Sequence, residues 1–159
     1  MSYGIATGFQ MLRSRNNPGV HPGLLALQHA ILRLMKFITT ADVPANPLYS
    51  QAIKVGPNIY MSGVAGISPE TNTVAGPTIQ EQTRQALINC ENILRAAGAT
   101  LGNTVEVQIL LANPGDFTGL NEEYARFFKE DPPVRSVARL GPEIAGVLVS
   151  IKMLAVLPD

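Results

Sequence analysis

An α+β fold is predicted, with one β-sheet and two helices packed against one of its faces. Three observations predict it: β-prone runs occupy both ends of the body, a capped amphipathic stretch covers 78–98, and a strictly alternating run covers 104–111. The order is strands, helix, strand, helix, strands. A length of 159 residues with 46% hydrophobic content suits one domain that buries its core without metals or disulfides.

The elements follow in chain order. Lys36 to Thr40 is a short strand candidate, and the Pro44 and Pro47 linker follows it. Ala52 to Val55 and Ile59 to Val64 are β-prone runs joined by Gly56-Pro57-Asn58, which reads as a hairpin. Thr78 and Glu81, just after Gly76-Pro77, form a capping box in which the hydroxyl accepts from a free backbone N–H and the carboxylate reaches back. The helix that starts there has an apolar face of Ile79, Ala86, Leu87, Cys90, Ile93, Leu94 and Ala97, with Gly98 as its stop.

Thr104 to Leu111 puts Val105, Val107, Ile109 and Leu111 on one face and Glu106 and Gln108 on the other. After Asn113-Pro114-Gly115, Asp116 is expected to cap a second helix with Phe117, Leu120, Tyr124, Phe127 and Phe128 inward, ended by Asp131-Pro132-Pro133. Those aromatics read as core. Two strands close the chain, Val134 to Leu140 and, past the Gly141-Pro142 turn, Val147 to Val156. Apolar residues occupy both sides of the last strand, and one helix layer shields only one side, so self-association is expected to cover the other.

Composition excludes several functions. Twelve basic and twelve acidic residues leave no excess cation for a phosphate backbone, so nucleic acid is not an expected partner. One cysteine and two histidines, His21 and His29, supply no metal pattern, and neither a metal nor a cofactor is expected. Cys90 lies on the apolar stripe and reads as a core thiol. The run from Ala145 to Val156 is short and broken by Ser150 and Lys152, so no membrane span is expected.

Residues 1–34 contain Arg13, Arg15 and Arg33 and no acid, leaving 9 basic against 12 acidic groups in the rest. They read as an extension outside the 35–159 domain: an organelle transit peptide or translation from an early start codon, with a helical arm over about Gly23 to Leu34 as the remaining option. The expected compartment is cytoplasmic, or mitochondrial if the extension is a transit peptide.

For chemistry, pattern alone offers Arg135, opening a strand directly after two stiff prolines. A guanidinium there can grip a carboxylate through two parallel N–H bonds, or simply be a surface arginine at a strand end. Alternation puts Arg135, Val137 and Arg139 on one face of their strand and Ser150 and Lys152 on one face of the next. If the two faces coincide they make a cationic pocket. Otherwise they are a solvated sheet edge.

Five segments in register carry a resemblance: Tyr49-Ser50-Gln51-Ala52, Met61-Ser62-Gly63, Glu81 to Leu87, Asn121 to Phe128, and Pro133-Val134-Arg135-Ser136. Over about Met35 to Asp159 the chain resembles the Rid (YjgF) family. The resemblance implies a chorismate-mutase-like fold with one mixed sheet, a homotrimer with a central barrel-like core, and ligand clefts between subunits. It implies hydrolytic deamination of reactive 2-imino and 2-enamino acids, such as 2-aminoacrylate, to 2-keto acids and ammonia. By position, Arg135 would bind the substrate carboxylate, Tyr49 would line the cleft, Ser62 and Gly63 would approach the ligand through their backbone, and Asn121 would support the site.

This chain departs from that family in its last strand, where the deaminating branch usually carries a glutamate and this chain has Ser150. A carboxylate would order or deprotonate the attacking water, whereas a hydroxyl only orients it. The position two further on, often acidic, is Lys152, and Val137 stands where some relatives have a cysteine. The expected function is therefore imine deamination with Arg135, Tyr49 and Ser150 as catalytic candidates and Ser62, Gly63, Asn121 and Lys152 as binding candidates. A substrate with two carboxylates would use Lys152 or Arg139 as well. The alternative is a non-catalytic trimer that binds keto acids or related small anions, and ribonuclease activity ranks last for want of a histidine pair and a basic surface.

Overall fold

A computed structural model describes residue 23 and residues 34–141 and 144–158 of the chain. The extension expected over 1–34 lies outside them except for Gly23 and Leu34, as does the Pro142 half of the Gly141-Pro142 turn. The unit described is Leu34–Asp159.

The strands are β1 (Met35–Ile38), β2 (Ala52–Val55), β3 (Asn58–Met61), β4 (Val64–Ala65), β5 (Thr104–Leu111), β6 (Val134–Arg139) and β7 (Val149–Val156). The α-helices described within 34–158 are α1 (Ile79–Ala96) and α2 (Phe117–Phe127). The seven strands among the described residues join one open mixed sheet in the order β1-β2-β3-β7-β5-β6, with β4 also on β7. Every pairing is antiparallel except β5 with β6, so β6 is an edge strand reached through α2. The predicted α+β architecture is what the chain adopts.

Helix α1 forms as its signals require. The Thr78 amide donates to Glu81 Oε2 at 3.0 Å and the Glu81 amide to Thr78 Oγ1 at 3.3 Å, which closes the capping box. At the other end Gly98 takes φ +84°, the left-handed stop that a side chain would resist. The predicted stripe is buried against β7, and Leu87, Ile93 and Leu94 are fully enclosed with Ile109, Leu120, Ile151 and Met153. Each such aliphatic side chain contributes about 1.5–3 kcal/mol by leaving water. Cys90 is in that core, and burial pushes its thiol up, away from thiolate chemistry.

Three expectations need correction. Val105 does not join Val107, Ile109 and Leu111: the register with β7 shifts between Thr104 and Glu106, and this bulge turns Val105 out to 44% exposure. Asp116 makes no side-chain cap. A 3-10 turn over Pro114–Asp116 leads into α2, so Asp116 is already in the helical basin (φ −81°, ψ 0°), where its carboxylate does not reach back. Phe117, expected in the core, is 45% exposed beside Arg135, and only Leu120 and Tyr124 of the inward set are buried.

The two helices are tied by Arg84, whose Nε and Nη2 donate to Glu123 Oε1 and Oε2 at 2.7 and 2.9 Å, with Arg126 at 3.5 Å. Glu123 is almost fully buried, and its bonds to Arg84 outweigh desolvation and hold its carboxyl below the ordinary value. A lowered carboxylate pKa gives stability that is present above the unfolded value and lost as pH falls through the depressed one. Glu123→Gln should therefore lose about 1–2 kcal/mol at neutral pH, half-exposed Arg84 keeping the figure modest. Urea denaturation across pH should show that difference shrinking on the acid side below the ordinary carboxylate range; a constant difference at every pH would contradict the assignment.

Candidate active site

Strand alternation sorts the candidate residues. Val149, Ile151, Met153 and Ala155 of β7 face the helices and are 0–1% exposed. Ser150 and Lys152 therefore face the opposite side, across from Leu110 and Gln108 of β5. In β6, Arg135, Val137 and Arg139 pair with Val107, Ile109 and Leu111, which puts them on the helix side. The two faces do not coincide within one chain, so the sequence-level cationic pocket of Arg135, Arg139 and Lys152 is not formed by a single copy.

One group of candidates gathers where β3 parts from β7. Tyr49, Ser62, Gly63 and Ser150 line a cavity of about 420 Å³. A shallower depression joins Tyr49, Ser62 and Gly63 to Lys152. Ser62 is held by its hydroxyl, which donates to the Ser50 carbonyl at 2.6 Å, and by its amide, which donates to the Gln51 carbonyl at 3.0 Å. A Cβ at Gly63 would lie 2.8 Å from Ser150 Oγ, so glycine is what lets the backbone reach the serine.

Three buried amides that sequence reasoning missed fix the loops around this cavity. Gln51 donates to the Thr40 and Val43 carbonyls and accepts from the Thr40 amide. Gln82 donates to the Gly76 and Gly146 carbonyls and accepts from the Leu148 amide, so α1 clamps the segment leading into β7. Asn89 donates to the Ala65 and Ile67 carbonyls. A signal existed for two of them, since Gln82 and Asn89 fall beside the apolar stripe of α1, where a polar side chain must find buried partners.

The other group is built on α2. Asn121 and Tyr124 stand one turn apart, and Arg135 of β6 lies across them. Its Nη1 donates to Asn121 Oδ1 at 2.8 Å, and its guanidinium carbon sits 4.7 Å from the Tyr124 ring centroid and 6.0 Å from that of Phe117. Such stacking restrains the guanidinium plane while leaving N–H bonds for a ligand. Tyr124 is buried, its hydroxyl has no hydrogen-bond partner among the described residues, and burial raises its pKa against the pull of Arg135. Arg135 makes no ion pair with a carboxylate among the described residues. The aromatics read as core thus include two, Phe117 and Tyr124, that shape a cation.

No group of three or more histidine, cysteine, aspartate or glutamate side chains suited to a metal occurs among the described residues. No helix among them is long and apolar enough to cross a membrane.

Comparison with known proteins gives consistent matches. The family model described as Endoribonuclease L-PSP matches residues 39–157. Human 2-iminobutanoate/2-iminopropanoate deaminase is 35% identical over 124 residues, spanning 77% of this chain and 90% of the relative. The crystal structure of RidA from the Antarctic bacterium Psychrobacter aligns with a TM-score of 0.72 at 32% identity, over 77% of this chain and 99% of that one. Escherichia coli TdcF, solved with bound serine, aligns with a TM-score of 0.73 at 28% identity, over 77% and 99%.

The close approach of Gly63 to Ser150 yields a test of the local geometry. Gly63→Ala should cost roughly 1–3 kcal/mol in chemical denaturation, because the added methyl group runs into Ser150 Oγ. In a Ser150→Ala background the same change should cost clearly less. Equal costs in both backgrounds would show that the two residues are not in contact.

Proposed function

The chain belongs to the endoribonuclease L-PSP family, the Rid (YjgF) group, and we propose that it hydrolyses reactive 2-imino and 2-enamino acids, such as 2-aminoacrylate, to 2-keto acids and ammonia. The observation that carries this reading is Arg135, a guanidinium aimed by Asn121 and Tyr124 with no carboxylate among the described residues to satisfy it. The naming of the human relative as an imine deaminase supports the reaction class, and the serine bound by TdcF supports an amino-acid-sized ligand.

The cleft is completed between copies. Arg135 with Asn121 stands on one side of the sheet, and Tyr49, Ser62, Gly63, Ser150 and Lys152 stand around the other, so a second copy must bring the two groups together. The sheet face away from the helices favours such association: it leaves Phe37 (53%), Tyr60 (49%), Leu110 (36%) and Val134 (70%) exposed. A homotrimer with these faces turned inward around a barrel-like core covers them. The setting is cytoplasmic, or mitochondrial where residues 1–34 serve as a transit segment.

The chemistry asks little of the protein. Protonation of the enamine carbon gives the iminium directly, and an imine reaches the same state by taking a proton on nitrogen, which makes C2 electrophilic. Water oxygen bonds to C2 as the C=N electron pair moves to nitrogen; a proton passes from that oxygen to the nitrogen, and the C–N bond then breaks with its electron pair leaving on ammonia while the oxygen gives up its second proton and forms the C=O of the keto acid. Arg135 holds the substrate carboxylate and Tyr49 closes the cleft, so positioning and charge supply most of the rate. Ser150 orients the water through its hydroxyl. That last residue also favours a second reading, a non-catalytic trimer that binds keto acids, because a serine does not deprotonate water as a carboxylate does.

An assay coupled to an amino-acid dehydratase separates the two. Arg135→Ala should abolish carboxylate binding, a loss of roughly 2–5 kcal/mol for removing one partner of a desolvated charge pair. Ser150→Glu should raise imine hydrolysis if water activation limits the rate. A wild-type protein that binds keto acids through Arg135 yet hydrolyses no imine establishes the binding reading, and undiminished binding in Arg135→Ala refutes both. Light scattering should find a trimer at micromolar concentration; a monomer contradicts the shared cleft.

A further inference from the structure

We propose that Lys152 makes the cleft selective for ligands with a second acid group, that is, short 2-imino and 2-keto dicarboxylates. This rests on the reading of Arg135 as the anchor for the first carboxylate. Lys152 lines the depression that it shares with Tyr49, Ser62 and Gly63, two residues along β7 from Ser150 and on the same face. No aspartate or glutamate lines either that depression or the adjoining cavity among the described residues. A simple monocarboxylate bound on Arg135 would leave an ammonium facing the ligand with nothing to meet it.

Lys152 is also not neutralised by the protein. It makes no ion pair among the described residues, where only Arg84 and Arg126 have carboxylate partners. Glu106 of β5, on the same sheet face, shares a small depression with Lys152, but its Oε1 accepts from Gln108 Nε2 at 2.8 Å. The other candidate cation, Arg139, lies on the helix side of β6 and lines a neighbouring cavity with Leu140 and Ala112, but neither the cavity of Ser150 nor the depression of Lys152. With Arg135 brought in by a second copy, the described residues give the cleft two cations and no lining carboxylate. A dianion complements that charge, and a ligand with one carboxylate and an alkyl tail sets a methyl group against the Lys152 ammonium.

Two keto acids of equal length isolate the effect, because 2-oxoglutarate and 2-oxopentanoate differ only in carrying a carboxylate or a methyl group at the far end. Calorimetry on the full chain should show 2-oxoglutarate binding about tenfold tighter. The preference should vanish in Lys152→Met and in Lys152→Gln, reverse in Lys152→Glu, and persist in Arg139→Ala. Equal affinities in the unmodified protein, equal weakening of both ligands by Lys152→Met, or loss of the preference in Arg139→Ala would each overturn the assignment to Lys152. Arg135→Ala tells the two levels apart: it should lose both ligands, and if 2-oxopentanoate still binds, the reading of Arg135 itself has failed.

Discussion

Strand β7 has to serve two environments at once, and the rest of the molecule is arranged around that constraint. It is hydrogen-bonded to β3 and β4 on one side and β5 on the other, so its side chains have only the two faces to occupy. Val149, Ile151, Met153 and Ala155 are sealed under α1, while Ser150, Lys152, Leu154 and Val156 face away from the helices. With a side-chain period of two, a slip of one residue would put Lys152 in the core and Ile151 outside. The burial that stabilises the fold thus also decides which polar groups the outer face presents.

The same alternation separates the chemistry into two halves. Arg135 is held on the helix side by the two polar and aromatic positions of α2, and α2 is held to α1 by the buried Glu123 between Arg84 and Arg126. The cavity of Tyr49, Ser62, Gly63 and Ser150 is bordered by segments that Gln51, Gln82 and Asn89 hold, each donating its amide group to backbone carbonyls. Both groups are held by hydrogen bonds within the chain, which suits the proposed reaction, whose substrate is already electrophilic and needs orientation more than force. On that proposal, what one chain lacks is the proximity of the two groups.

Much of this was legible in the residues. The capping box at Thr78 and Glu81, the stripe through Leu87 and Cys90, and the position of Arg135 after Pro132-Pro133 all rest on local rules, and local rules place elements well. The misses came from tertiary context. The Val105 bulge depends on how β5 meets β7, and Asp116 lost its capping role to a 3-10 turn begun by Pro114. Phe117 and Tyr124 had a helical spacing that fits core packing, and nothing in that spacing says that a guanidinium from a later strand will lie over them. Whether the faces carrying Arg135 and Lys152 coincide depends on β5 lying between β6 and β7 with its own register to each, which no single strand reveals.

The central claim is that the site exists only where the Arg135 group of one copy meets the Ser62, Gly63 and Ser150 group of another. Mixed oligomers test it most directly. Arg135→Ala removes one half, and Gly63→Leu fills the other while leaving Arg135 intact; each variant is first checked for its fold by circular dichroism. Each variant alone should fail to bind a keto acid in calorimetry, and co-refolded mixtures should regain binding, because some clefts then pair an intact Arg135 with an intact Gly63. Mixtures that form yet stay as inactive as their components would place both groups in a cleft within one chain and contradict the account.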